Sequence, residues 1–403
     1  MDDIILPQKK PGQQPPESPG FLTPDAIAAQ EEQQPHSVIS DDLSGRYRPP
    51  QKTRWWKRLS KKQWIIIGVV LALLLSGGGY AWWKISHKSK PAATKQPTKQ
   101  AALQPTPQPT TVASNLTGVQ VDPAINQRPI TAIMIENSPD ARPQSGIIYA
   151  GVVFEAIAEG GITRFLTLFQ DSEPDYIGPV RSVRPYYIQW LSGFNASVAH
   201  VGGSADALNK LKQWGIKDLD QSFNPGAFWR ISSRFAPHNV YTSIAKLREL
   251  QVQKGFMQST YTGFPRKTDA PSVTPTARSI DFNISGALYN PHFDYDRATN
   301  SYKRSEGGKP HVDEKTNIQI TPKVVVGLVL QQGNAGIYTT YETIGSGQAF
   351  IFQDGVVTPA TWRKTANEQQ FTFSDPSGAP IKFNPDQTWI SAVGGADRIG
   401  FQP

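Results

Sequence analysis

The sequence contains no cysteine. That excludes disulfides, thiolate catalysis and an anchor made through a lipid-modified cysteine, so a domain outside the cytoplasm would have to be held by its core alone. Long apolar runs are nearly as scarce. One exists: residues 64–83 read WIIIGVVLALLLSGGGYAWW, 20 residues without a charge. At about 1.5 Å per residue a helix of that length spans about 30 Å, the thickness of a bilayer's hydrocarbon core. Trp64 at one end and Tyr80, Trp82 and Trp83 at the other suit the two water–lipid interfaces. Gly77, Gly78 and Gly79 would weaken a soluble helix, but lipid offers the backbone no alternative partners. Both flanks are polar, which argues against a buried core helix, and 63 residues precede the run, which argues against a cleaved leader. The sequence therefore predicts a single-pass membrane anchor.

Basic residues set its direction. Eight Lys and Arg between Arg46 and Lys62 face five between Lys84 and Lys99, placing the amino end in the cytoplasm and the carboxyl-terminal domain outside. A one-signed charge is otherwise missing from the bulk of the chain. The net charge is +8, but residues 111–403 carry 26 basic against 25 acidic side chains. The excess sits largely beside the membrane, where it favours anionic headgroups. A nucleic-acid partner is excluded, because it would need the surplus on the folded domain.

The organisation follows from texture. Residues 1–63 form a polar tail, disordered over its Pro- and Gln-rich part because it has too little apolar surface to offset its ordering entropy. Residues 84–118 form a Pro/Thr/Gln-rich stalk. Residues 119–258 alternate apolar strands (130–136, 151–158, 164–170, 195–201) with helical patterns (184–193, 204–214, 243–254), the last two capped by Ser204 and Ser243. That alternation predicts an α/β domain with a mixed sheet. Residues 259–279 read as a linker. Residues 280–397 hold short strands separated by turns such as Asp354-Gly355 and predict a β-rich carboxyl-terminal subdomain.

Polar clusters gather in the first half. Glu155 and Glu159 precede a Gly160-Gly161 turn and Arg164. Arg181, Ser182 and Arg184 stand at a helix start, where guanidinium forks and free backbone N–H groups favour an anion such as phosphate or carboxylate. The competing reading pairs those arginines with Glu155 or Glu159. His200, Gly203, Ser204 and Asp206 mark a strand–turn–helix corner of the kind that often carries ligands. It is neither a phosphate-binding loop with Lys-Ser/Thr nor a nucleophile elbow. Arg234, His238 and Asn239 lie in a loop. His200 and His238 with the glutamates or Asp206 could supply a general base, yet no HExxH pair or close ligand spacing occurs. The sequence calls for no metal and no cofactor, and the catalytic residues of any reaction stay unassigned. His292 and His311 have no partner that the sequence names.

Several strings read together carry a resemblance: MIENSPDARPQSGIIYAGVVFEAIAEGGITRF, GPVRSVRPYY, HVGGS and APHNVYTS, then FDYDRATNSYKRSEGGKPHVD, GSGQAFIFQDGVVTPATWRK and TWI. Over roughly residues 119–395 the chain resembles the YerB-like family of bacterial lipoproteins, which has two domains of unknown function. The resemblance implies a position outside the cytoplasmic membrane, with a helix here in place of the family's lipidated cysteine. It matches at Glu155, Glu159, Arg164, Arg181, Arg184, His200, Ser204 and His238 and implies no role for any of them.

The resulting expectation is a membrane-anchored cell-envelope module that binds an anionic ligand or regulates a wall-assembly protein, without catalysis. The alternative is a hydrolase acting on an envelope polymer, with His200 or His238 as base. A third is a structural adaptor whose polar clusters are internal salt bridges.

Overall fold

The computed structural model describes residues 110–403. The expected tail, the anchor at 64–83 and most of the stalk lie outside the described residues. Among the described residues no helix is long and apolar enough to cross a membrane.

The first half contributes β1 (Thr131–Glu136), β2 (Val152–Glu159), β3 (Ile162–Phe169), β4 (Ser197–His200) and β5 (Lys217–Asp220). Its helices are α1 (Pro185–Ser192), α2 (Ala205–Gln213) and α3 (Ile244–Lys254). The second half contributes β6 (Ser279–Phe282), β7 (Pro291–Asp296), β8 (Ser301–Glu306), β9 (Lys309–Pro310), β10 (Val324–Val329), β11 (Gly345–Gln353), β12 (Val356–Lys364), β13 (Thr372–Ser374), β14 (Thr388–Val393) and β15 (Ile399–Gln402).

The helices end where their sequences say they should. Pro185 opens α1, where a missing N–H costs nothing. Ser204 accepts from Ala207 N at 3.3 Å to cap α2, and Ser243 accepts from Lys246 N at 3.2 Å to cap α3. Gly255 closes α3 in the left-handed conformation (φ 74°).

One large mixed sheet runs in the order β13-β12-β11-β10-β14-β2-β3-β1-β4-β5. β14 pairs in parallel with β10 on one side and with β2 on the other, Ser391 lying opposite Glu155. Alternation along each central strand serves two cores. Ala132 and Met134 of β1, Phe154 of β2 and Ile390 of β14 pack with Tyr187 and Leu191 of α1 and with Leu211 of α2. Ile133, Ile135, Val153 and Trp389 pack on the other face with Leu247 of α3 and with Ile280, Phe293 and Tyr302 of a second sheet, ordered β9-β8-β7-β6-β15. A sheet covered on both faces buries side chains at every position and is therefore rich in apolar residues, as β1, β3 and β14 are.

This corrects the expected fold class. The protein is mainly β, with 39% of described residues in strands and bridges and 15% in helices, and not an α/β domain followed by a β-rich one. The predicted strands and helices of the first half do form. The correction lies in their pairing: β14 and β10 insert beside β2, so strands from both halves share one sheet. Periodicity identifies a strand but not its neighbour, because pairing over long sequence separation leaves no local mark. The segments flanking the first half are also packed. Leu116 is buried in the first core, as is Phe264, and Arg266 donates to Leu116 O and to Asn384 O.

Candidate functional site

The residues singled out in the sequence gather near the turn joining β2 to β3 and the carboxyl ends of β1 and β4 in three groups, the first and third adjoining where Arg164 stands opposite Glu136. The first surrounds Glu159 at the end of β2. Its Oε2 takes Arg184 Nη2 at 2.7 Å and Nε at 3.1 Å, and its Oε1 takes Arg164 Nη2. Arg164 also donates to Ser182 O at 3.0 Å, and the Arg184 guanidinium lies 4.7 Å from the Tyr338 ring centroid. Both arginines are buried. The strand start and helix start therefore neutralise one buried carboxylate, and neither guanidinium faces solvent for an external anion.

Glu155 belongs to a second group on the other face of the sheet. Its Oε1 takes Arg304 Nη2 at 2.8 Å; its Oε2 takes Trp389 Nε1 at 2.9 Å and Ser391 Oγ at 3.1 Å. Burial pushes its carboxyl upward, and the nearby charge of Glu306 adds to that push. Arg304 also meets Glu306 at 3.3 Å and donates to His311 Nδ1, whose Nε2 then donates to Gln144 Oε1 at 2.9 Å. Burial and the Arg304 charge hold His311 well below its ordinary value, as a neutral imidazole. Asn137 completes the group by donating to Glu306 Oε1 at 2.7 Å and to Thr163 Oγ1 at 2.7 Å. Sequence reasoning named Glu155 but missed Arg304, Glu306 and Trp389, which lie some 150 residues or more away along the chain. No local pattern could have revealed them.

The third group is the most open. Glu136 ends β1, and its Oε1 meets His238 Nδ1 at 3.0 Å, Ser138 Oγ at 3.1 Å and Arg181 Nε at 3.5 Å. Its Oε2 is buried and has no hydrogen-bond partner among the described residues. Burial opposes ionisation of this carboxyl, but the His238 hydrogen bond and the Arg181 charge outweigh it and hold it below the usual range. The same bond raises His238. The His238 loop is braced from beneath. Arg234 donates to Ala141 O and Pro143 O, and Asn239 takes Arg230 Nη1 at 2.6 Å and donates to Ile231 O at 3.2 Å. Phe235, in the same loop, is 90% exposed.

His200 is fully buried at the end of β4. Its Nδ1 meets Gly202 O at 2.7 Å and its Nε2 meets Asp218 Oδ1 at 3.0 Å. A carbonyl and a carboxylate both accept, so both nitrogens donate and the ring is cationic. Against the effect of burial, Asp218 and Asp220 raise its pKa. With no open lone pair it cannot serve as a base in this arrangement. Gly203 packs against Val183, its would-be Cβ 3.0 Å from Val183 Cγ1, Ser204 is spent as a cap, and Asp206 pairs with Lys210 at 2.7 Å on the helix surface. The structure thus brings Arg181 and His238 together, links Arg164, Ser182, Arg184 and Glu159, and separates His200 and Asp206 from both sets. His292, in the second sheet, sits between Asp281 and Asp294 at 2.8 and 3.1 Å.

Ser138, His238 and Glu136 include the residue types of a hydrolytic triad. A relay needs the hydroxyl on one imidazole nitrogen and the carboxylate on the other. Here both contact Nδ1.

Two family models match the chain in order: the Protein of unknown function (DUF3048) N-terminal domain over residues 116–257 and its C-terminal domain over residues 280–390. The chain is 30% identical over 289 residues to a Bacillus subtilis protein named "Putative lipoprotein YerB", a match covering 69% of this chain and 85% of that one. The crystal structure of YerB protein from Bacillus subtilis is similar at a TM-score of 0.66 and 27% identity, covering 72% of this chain and all of the other. Two domain models in sequence, a relative matched over most of its length and a shared fold establish that this chain belongs to the DUF3048 family of YerB-like proteins.

Proposed function

We propose that the protein is a non-catalytic module of the cell envelope that uses the Glu136 end of the sheet to bind a polar ligand or a wall-assembly partner. It is held outside the cytoplasmic membrane, with the apolar run 64–83 as its tether and the amino end inside. The relative's printed name speaks for membrane association. Without a cysteine, this sequence would have to achieve that association by another route, and the apolar run supplies one.

The observation that carries the binding reading is Glu136 Oε2, a buried carboxylate oxygen with no hydrogen-bond partner among the described residues, while Oε1 of the same group holds His238 at 3.0 Å. A buried acceptor without a donor is costly, and a ligand N–H or O–H relieves that cost. Phe235, exposed in the loop that carries His238, offers an apolar face to the same ligand. Binding is favoured over hydrolysis because Glu155 and Glu159 are occupied by arginines and His200 has no lone pair to offer.

The test is co-sedimentation of the full-length protein with isolated cell-wall material, compared with Glu136→Gln and Phe235→Ser. Retention that falls at least several-fold in both variants is expected. Equal retention of all three overturns the binding reading, and release of soluble fragments from the wall material would favour the hydrolase instead.

A further inference from the structure

The arginines expected to meet an anion are turned inward, but another arginine is not. β11, β12 and β13 form the end of the large sheet, and their registers align Ser346 with Arg363, Arg363 with Thr372, and Thr361 with Ser374. In an antiparallel pair, residues directly opposite share a face. The intervening residues Trp362, Lys364 and Phe373 point the other way and are buried. One face of this three-stranded end is therefore core. The other presents Arg363 among hydroxyls and lines a groove of about 600 Å³ with Ser346, Thr361, Thr365, Thr372 and Ser374.

Three features give the groove its chemistry. No acidic residue lines it. Arg363 pairs with no carboxylate of the described residues, and the hydroxyls of Ser346, Thr361, Thr365 and Ser374 have no hydrogen-bond partner among them. The wall is braced from behind: Lys364, on the buried face, donates its Nζ to Asn367 O at 2.7 Å and to Gln369 O, holding the loop between β12 and β13 against the strand. Burial depresses that amine to about 8, so its job is to secure the loop more than to supply a strong charge. Thr372 Oγ1 donates to Arg363 O at 3.2 Å, tying the outer strand to the arginine's own backbone.

A guanidinium that presents a rigid fork, with rotatable hydroxyls above and below it on neighbouring strands, matches an oxyanion carried on a polyol. We propose that this groove binds a phosphodiester, with the phosphate on Arg363 and the flanking alcohol groups on Thr361, Ser374 and Ser346. The site shares no residue with the Glu136 group, so it stands or falls independently of that reading. A polyol-phosphate polymer and a phospholipid headgroup offer the same chemistry, and experiment separates them.

The full-length protein in detergent is titrated calorimetrically with inorganic phosphate, with a soluble glycerol-phosphate oligomer and with mixed micelles containing phosphatidylglycerol. Saturable binding of the oligomer, of the micelles or of both is expected, with phosphate alone at least ten-fold weaker. Whichever of the two larger probes binds more tightly identifies the source. Arg363→Gln should weaken binding about ten-fold or more, and Thr361→Val with Ser374→Ala should weaken it several-fold. Arg278→Gln, an exposed arginine in another part of the chain, should leave it unchanged. The proposal is overturned if neither larger probe binds saturably, or if Arg363→Gln and Arg278→Gln bind alike.

Discussion

Trp389 donates its indole N–H to Glu155 Oε2 at 2.9 Å, although its register partner on β2 is Val153 and Ser391 is the residue opposite Glu155. The indole thus reaches diagonally across the parallel pair and joins Ser391 on one carboxylate oxygen, while Arg304 from the second sheet holds the other. Three elements distant in sequence converge on one buried charge. Such pairs add little net stability when intact but are costly to break, since the partner left behind stays buried and charged.

Glu155→Ala should therefore destabilise the protein by about 3–5 kcal/mol, while Glu155→Leu combined with Arg304→Met should cost clearly less than the sum of the two single changes. Urea denaturation of the four proteins completes the cycle. Additive losses would show that the pair is not coupled.

Glu159 has the larger imbalance, because one carboxylate serves two buried guanidiniums. Glu159→Gln keeps the shape, removes the charge and is expected to cost about 3 kcal/mol or more. Lys210→Gln breaks a surface helix pair and a 5.7 Å contact with the Trp214 ring and should cost no more than about 1 kcal/mol. Comparable denaturation midpoints for the two variants would contradict this ranking.

The Glu136–His238 contact makes stability depend on pH. His238 is raised above its ordinary 6.5, so its contribution is fully present below that value and fades as pH rises through the raised one. Glu136 is held below its ordinary 4.5, so its contribution is present above that value and fades as pH falls through the lowered one. Wild type should exceed His238→Gln in stability most between those limits, with the gap narrowing on the alkaline side. Melting temperatures of both proteins across this range give the result. A gap that does not vary with pH means the ion pair is not its source.

Trp190 stacks on Phe154 at 5.3 Å and meets Tyr186 at 5.2 Å and Tyr187 at 5.3 Å, yet its indole nitrogen has no hydrogen-bond partner among the described residues. Its contribution is therefore packing alone. Trp190→Ala should cost about 3–5 kcal/mol, and Trp190→Phe considerably less, because no hydrogen bond is lost with the nitrogen. Chemical denaturation of both variants checks the order, and a phenylalanine variant as damaged as the alanine one would refute it.

Gly263 lies in the segment between the halves that sequence reading treated as a linker. A Cβ there would fall 1.9 Å from Asn115 O, a backbone atom that cannot rotate aside. Gly263→Ala should lower the melting temperature by several degrees, corresponding to a loss of about 2 kcal/mol or more. Gly226→Ala, where a Cβ meets nothing within 4 Å, serves as the tolerant comparison. Equal melting temperatures would show that the segment yields freely at Asn115.

Much of the local structure was legible in the chain. Apolar alternation marked β1 to β4, and Ser204 and Ser243 marked their helices as caps, because a strand's period and a cap's hydrogen bond span only a few residues. The short strands β5, at Lys217–Asp220, and β8, at Ser301–Glu306, were missed, since charged and polar residues fill most of their positions, and in β8 several of these are buried against partners distant in sequence. Of the two arginines that the competing reading paired with Glu155 or Glu159, Arg184 meets Glu159, whereas Arg181 meets Glu136, a residue the sequence did not single out. The partner of Glu155 was beyond reach, because nothing near it in sequence announces Arg304.

By itself the sequence determined the absence of thiol chemistry, the near-neutral folded region, the uncharged run 64–83 and the identity and ends of most elements. Each of these depends on residue type or on neighbours within a turn or two. Only the tertiary structure decided that strands of both halves share one sheet and that Glu155 and Glu159 are buried counter-charges. Among the described residues it also left Glu136 Oε2 without a hydrogen bond and Arg363 beside the hydroxyls of Ser346, Thr361 and Ser374. A side chain's chemistry depends on its dielectric surroundings and the charges within a few ångströms, and those come from parts of the chain that folding alone brings together.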